Sequence, residues 1–200
     1  MKKILFIIGL VILFIGFYNE YVNAEEPQAL TIQAEPIQAT PEPVPEPQEM
    51  AVEPEEKEYR YIQGCTLSLE LQQGIFDICE SYNISFEFVM AVIAQESNFN
   101  AAASGDNCES AGLMQIQKKW HSELMAELGV SDLYEPLQNV EVGVALLCSY
   151  FEENDNVYYV LMKYNGGHKY AKDMLKAGKV SKYALEITER AMMYEEQNGI

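Results

Sequence analysis

Residues 85–97 read Ser85-Phe86-Glu87-Phe88-Val89-Met90-Ala91-Val92-Ile93-Ala94-Gln95-Glu96-Ser97, and the spacing within this stretch sets the fold class. Ser85 stands immediately ahead of an apolar run, the position of an N-cap. Glu87 falls in the first turn, where a carboxylate meets the positive end of the helix dipole. Val89, Val92 and Ile93 follow at helical intervals. Glu96 comes three residues after Ile93, four after Val92 and seven after Val89, so the same apolar face carries a carboxylate near the C-terminal end of the helix. Few water contacts and the negative end of the dipole both raise the pKa of such a group. A Glu tuned upward towards roughly 6 is what a general acid near neutral pH needs. Taken alone, a Glu at a helix end more often bonds to nearby amides or faces solvent, so its placement makes Glu96 a candidate only.

Outward from this helix the same period recurs. Leu71, Ile75, Ile78, Cys79 and Tyr82 form one apolar stripe, and further helices are predicted over residues 140–153, 157–164 and 181–197. Gly105, Gly112, Gly129, Gly166 and Gly178 punctuate them, and neither a β-hairpin signal nor an internal repeat stands out. After residue 58 only Pro136 remains of eight prolines. Residues 59–200 therefore read as one all-α domain, a size that buries a usable core.

The preceding residues differ in kind. Seven prolines and ten Glu against one Lys fall within residues 25–58, a net charge of −9 with no apolar periodicity, which is the composition of an extended Pro/Glu-rich linker. Ahead of it, Lys2 and Lys3 precede an apolar run over residues 4–18, and Val22-Asn23-Ala24 offers a small-residue cleavage pattern. Residues 1–24 are thus expected to be a signal peptide or a retained membrane anchor, and the chain to be secreted or held at the cell surface. The overall charge of −18, from 31 acidic and 13 basic residues, argues against nucleic acid, since phosphate binding needs Lys/Arg clusters. Cys65, Cys79, Cys108 and Cys148 can form disulfides outside the cytoplasm in three possible pairings. Their spacing, without a CxxC or a nearby His pair, argues against zinc, and no cofactor is expected.

Beyond Glu96, the ordered segments Gln95-Glu96-Ser97-Asn98-Phe99-Asn100, Gly105-Asp106-Asn107 and Ser110-Ala111-Gly112-Leu113-Met114-Gln115-Ile116 resemble the catalytic core of the lytic transglycosylases of the lysozyme-like superfamily. Asn139-Val140-Glu141-Val142-Gly143 is similar to the start of a later helix in that family, Tyr164-Asn165-Gly166-Gly167 to its Tyr-Asn-x-Gly turn, and Tyr183 to the tyrosine of its last helix. The likeness spans roughly residues 67–194. The Gly-Asp-Asn loop and the interval from Glu96 to Gln115 resemble the subgroup of conjugation- and phage-associated wall-cleaving enzymes.

The resemblance implies a helical fold of the goose-type lysozyme and SLT kind, acting on peptidoglycan glycan strands. In its reaction the substrate's N-acetyl carbonyl attacks the anomeric carbon while Glu96 protonates the leaving oxygen. The muramic acid 6-hydroxyl then closes the 1,6-anhydro ring with Glu96 as base, in place of the two carboxylates of an ordinary glycosidase. Substrate-binding residues are expected at Ser97, Ser110, Gly112, Met114, Gln115, Tyr164, Asn165, Gly166 and Tyr183. Gly112 would let a sugar approach the backbone and Met114 would give an apolar floor. Gln115 and Asn165 would meet acetamido groups, and Tyr183 would fix the Glu96 rotamer and keep it protonated. For Met114 and Tyr183 core packing is the plain alternative; for Gln115 and Asn165 it is a local backbone cap.

Two other functions stay open: a hydrolytic muramidase with Asp106 orienting water, and a non-catalytic wall-binding scaffold. A bridge from Cys108 to Cys148 would pin the catalytic loop. The chain departs from the family at Ala101-Ala102-Ala103, where proline is usual, and at Lys163, where alanine is usual. An exported wall-cleaving domain also suits a secretion, conjugation or phage-type apparatus as its partner.

Overall fold

The computed structural model describes residues 58–105, 107 and 109–200. The expected export segment, and the linker apart from its last residue, lie outside them. Among the described residues no helix is long and apolar enough to cross a membrane.

Six helices carry the domain: α1 (Leu69–Tyr82), α2 (Phe86–Ser97), α3 (Lys118–Glu127), α4 (Pro136–Glu153), α5 (Val157–Lys176) and α6 (Lys182–Gln197). The expected helical architecture is the one found. Their starts are written locally. Ser68, Ser85 and Ser181 each accept from a backbone N–H of the first turn, Asn156 caps α5, and Glu135 caps α4 just ahead of Pro136. Asn83 and Asn98 end α1 and α2 in the left-handed conformation.

α2 is the central helix, with residues 86–94 all buried. It is apolar all round, as a helix enclosed by its neighbours must be, and it packs chiefly on α6, while α1 packs on α4. The exception among these nine residues is Glu87, 1% exposed. Both its oxygens lie 3.2 Å from an Arg60 guanidinium nitrogen, and it accepts from Asn198 Nδ2 at 2.8 Å and from Ser85 Oγ at 3.2 Å. A buried carboxylate is tolerable only when so satisfied. Here it ties the start of the domain, α2 and the C-terminal end together.

The structure departs from the sequence reading in three places. A three-stranded antiparallel sheet is present, made of β1 (Ser104–Gly105), β2 (Ser110–Ala111) and β3 (Ile116–Gln117). Its pairs are Ser104 with Ala111, Gly105 with Ser110, Ser110 with Gln117 and Ala111 with Ile116. Two-residue strands are too short to show alternation. Helix α3 was not anticipated, and its weak apolar pattern, with Met125 its buried residue, explains why. Helix α5 runs past Gly166 and is broken instead at Gly167 (φ 80°, ψ 170°).

Gly143 shows how tightly α4 meets the turn between β2 and β3. A Cβ there would stand 2.2 Å from Met114 Sδ, 2.6 Å from its Cε and 3.0 Å from its Cβ. Gly143→Ala therefore sets a helix-propensity gain of about 1 kcal/mol against an overpacking cost of about 1–3 kcal/mol. The thioether can swing away but the Met114 Cβ cannot, so the cost should win. Calorimetry should find the melting midpoint several degrees lower; an unchanged or raised midpoint would mean that Met114 relaxes freely.

Candidate active site

Glu96 is the penultimate residue of α2. It follows the buried run of residues 86–94 and the half-buried Gln95, and is itself half-buried where the chain turns away through Asn98 (φ 50°) and Phe99 (φ 64°). The packing of α6 on α2 brings up Tyr183, whose hydroxyl donates to Glu96 Oε1. Burial and the nearby Glu96 charge push the Tyr183 phenol far above its ordinary pKa, and burial does the same to Tyr164, so both stay protonated and act as donors. The contact expected from sequence is present, and it fixes one oxygen of the Glu96 carboxyl against α6.

The second wall is the turn from β2 to β3. Asn139, at 0% exposure on α4, accepts from Met114 N at 2.7 Å and donates through Nδ2 to Ala111 O at 2.8 Å and Leu133 O at 2.9 Å. Gly112 (φ +77°) lies against this amide: a Cβ would be 2.3 Å from both Asn139 Nδ2 and Leu133 O. Its glycine thus makes room for Asn139 inside the protein rather than for a sugar outside it. Met114 is likewise fully buried against Gly143 and gives no apolar floor to the cleft. Gln115 (φ 49°) spends Nε2 on Ala103 O (3.2 Å) and Gly112 O (2.9 Å). Its Oε1 lies so near Gly105 that a Cβ there would be 2.6 Å away, which leaves that acceptor as the atom it can offer a ligand.

The third wall comes from α5. The Tyr164 hydroxyl donates to Met114 O at 2.8 Å, which ties α5 to the turn, and Asn165 follows at the surface. Gly166 sits close under the Tyr170 ring, a Cβ there being 2.4 Å from Cδ1.

Between these walls lies a cleft of about 560 Å³, within the usual range for a ligand site. Of the expected residues, Glu96, Ser110, Gln115, Tyr164 and Asn165 line it; Ser97, Gly112, Met114, Gly166 and Tyr183 are not among its lining residues. Ser97 turns its hydroxyl back to Ile93 O at 3.1 Å. Cys148, on α4, carries a thiol that burial pushes up to about 11. Its expected partner Cys108 and the proposed water-orienting Asp106 lie outside the described residues.

Sequence reasoning missed a further side of the cleft, formed by Trp120, His121, Tyr150 and Lys163. Burial lowers the pKa of His121. Lys163, singled out in sequence only as a departure, is a wall residue. Its ammonium lies 3.9 Å from the centroid of the Tyr150 ring and 2.6 Å from Glu153.

A family model described as the transglycosylase SLT domain matches residues 74–186, more than half of the chain. Among solved structures, the fold is similar to an inactive mutant of the lytic transglycosylase Slt from Pseudomonas aeruginosa, with TM-score 0.57, 18% identity and 64% of this chain covered. It is also similar to the 70 kDa soluble lytic transglycosylase from Escherichia coli, with TM-score 0.56, 18% identity and the same 64% coverage. The match covers 24% of each of those chains, so this chain corresponds to about a quarter of their length.

Proposed function

The chain belongs to the transglycosylase SLT domain family, and from that premise we propose that it is a peptidoglycan lytic transglycosylase, a lyase that cleaves the β-1,4 bond from N-acetylmuramic acid to N-acetylglucosamine. The observation that supports this best is Glu96, a half-buried carboxylate that accepts from the Tyr183 hydroxyl at the wall of a cleft of about 560 Å³. Among the described lining residues it is the carboxylate. In the proposed reaction Glu96 gives its proton to the bridging oxygen as the N-acetyl carbonyl oxygen bonds to the anomeric carbon. The 6-hydroxyl of muramic acid then attacks that carbon, the acetamido oxygen leaves, and Glu96 takes back the hydroxyl proton. A 1,6-anhydro end forms without water, and Glu96 returns to its starting state.

Mass spectrometry of fragments released from purified peptidoglycan by the full chain, run beside the Glu96→Gln variant, tests this. Glu96-dependent 1,6-anhydro ends are the expected product. Reducing ends would make the protein a hydrolytic muramidase, and no release by a folded chain would leave wall binding without catalysis.

Tyr183→Phe removes the donor to Glu96 and keeps the ring. The fold should persist and kcat fall roughly tenfold as the carboxyl loses its fixed rotamer, with KM nearly unchanged. Losing a donor to the carboxylate also makes Glu96 easier to protonate. The limb of the pH–rate profile on which the acid form is lost should therefore move to higher pH, and a limb that stays put would reduce Tyr183 to a packing role.

The same reading extends beyond the described residues. It has residues 1–24 exporting or anchoring the chain, residues 25–58 spacing it from the membrane, and residues 59–200 working on the wall outside the cytoplasm. The Gly105-Asp106-Asn107 loop supports assignment to the conjugation- and phage-associated subgroup, with local wall opening for such an apparatus as its task.

A further inference from the structure

Trp120, the chain's single tryptophan, is 73% exposed and lines the cleft that holds Glu96. A lone exposed tryptophan is unremarkable, but this one is held in place. Its Nε1–H donates to Gln117 Oε1 at 3.1 Å, and Gln117 Nε2 donates to Ser110 Oγ at 3.1 Å. A chain of hydrogen bonds thus fixes the indole edge to the small sheet. Lys119 lies over the ring, 5.3 Å from its centroid, and pairs with Glu109. Directly after Trp120 the helix departs from helical dihedrals at His121 (φ −124°, ψ 17°), so the indole rides on a first turn set at its own angle to the rest of α3.

The position of Gln117 bears on the same point. It is the N-cap of α3 and makes no side-chain cap hydrogen bond, although a capping side chain there is typically worth about 1 kcal/mol. Its amide is turned instead to Ser110 and Trp120. The Gln117 side chain thus serves the ring and the sheet rather than the helix end.

We infer that Trp120 is a stacking platform for one sugar ring of a bound glycan strand, a subsite on the α3 rim of the cleft. The chemistry matches: a pyranose in a β-1,4-linked strand presents a face of C–H groups with polar groups at its edge, and an indole held by its N–H offers an apolar face against it. Pre-fixing the ring removes the ordering cost of binding. The inference rests on the glycan-cleaving reading and adds a residue that sets strand affinity without touching the reacting atoms.

The single tryptophan makes the subsite directly visible. In the full chain carrying Glu96→Gln, peptidoglycan strand fragments or soluble β-1,4-linked N-acetylglucosamine oligomers should shift the tryptophan emission to the blue in step with binding followed by calorimetry. In the catalytically intact chain, Trp120→Ala should raise KM for glycan strands several-fold to roughly tenfold with kcat little changed, and Trp120→Phe should recover most of the loss. Binding heat with unmoved emission, or a wild-type KM in folded Trp120→Ala, overturns the subsite while the cleaving activity stands. Should Trp120→Ala fail to fold, Trp120→Phe and the emission shift decide. If the Glu96→Gln chain binds no glycan and the unsubstituted chain cleaves none, the subsite and the functional reading fall together, an outcome distinct from the first.

Discussion

Glu96→Gln is expected to lower peptidoglycan cleavage by about 10³-fold or more while leaving the protein folded and no less stable. Glutamine keeps the shape and an oxygen that can accept from Tyr183, so the α2–α6 packing around it need not change. What it cannot do is give or take a proton. Positioned general acid–base catalysis is worth about 10²–10⁴-fold for one step, and here a single group is asked to serve both steps, so the loss should lie at the upper end or beyond. The stability sign follows from position. Glu96 sits at the C-terminal end of α2, where a negative charge opposes the helix dipole by about 0.3–1 kcal/mol. Removing that charge should hold or raise the melting midpoint, so inactivity could not be blamed on unfolding. Rates from anhydro-product release, set beside thermal melts, make the comparison. Substantial turnover in a folded variant would end the role of Glu96 as sole acid and base.

The parts of this site that were legible in sequence are those written locally. The 3.6-residue period placed α1, α2, α4 and α6, Ser85 marked the start of α2, and the spacing within α2 put Glu96 at its end. Residues whose roles depend on distant partners were misread or missed. Gly112 and Met114 carry the resemblance to the family, yet what each touches is Asn139 and Gly143 of α4. Both are fold residues lying under the cleft, and spacing alone cannot separate a residue beneath a site from one within it. Trp120 was missed for the opposite reason. It sits on a helix without a strong apolar face, preceded by strands of two residues each, so no periodic signal pointed to it. Lys163 was noticed but not located; only the neighbouring Tyr150 and Glu153 make it part of the wall.

That division points to Asn139 as the residue on which the site's shape depends most, and to Asn139→Asp as its sharpest test. The substitution is nearly isosteric, so neither a cavity nor a clash confuses the result. It keeps the acceptor that meets Met114 N and removes both donors, the ones directed at Ala111 O and Leu133 O. Two buried carbonyls lose their partners, and a carboxylate in their place would face two acceptors with no water to relieve it. Each unsatisfied buried group costs about 1–3 kcal/mol, and an uncompensated buried charge about 3–5 kcal/mol. Because these overlap, a total of about 3–5 kcal/mol is expected, or a fall of roughly 10 °C or more in the melting midpoint of a domain this size. The pH dependence is the distinguishing feature. Burial and the facing carbonyls favour the protonated acid, which regains one donor, so the folded state of the variant binds a proton that the unfolded state has released by neutral pH. The deficit should therefore shrink as pH falls towards the unfolded carboxyl range near roughly 4 and be greatest at neutral pH and above. Melts of variant and parent across that window supply the measurement. A deficit independent of pH would mean that the new carboxyl has reached water and that the turn has opened around it. Since Met114 O, which Tyr164 holds, and Gln115 lie on that same turn, activity should then be lost even where the protein remains folded.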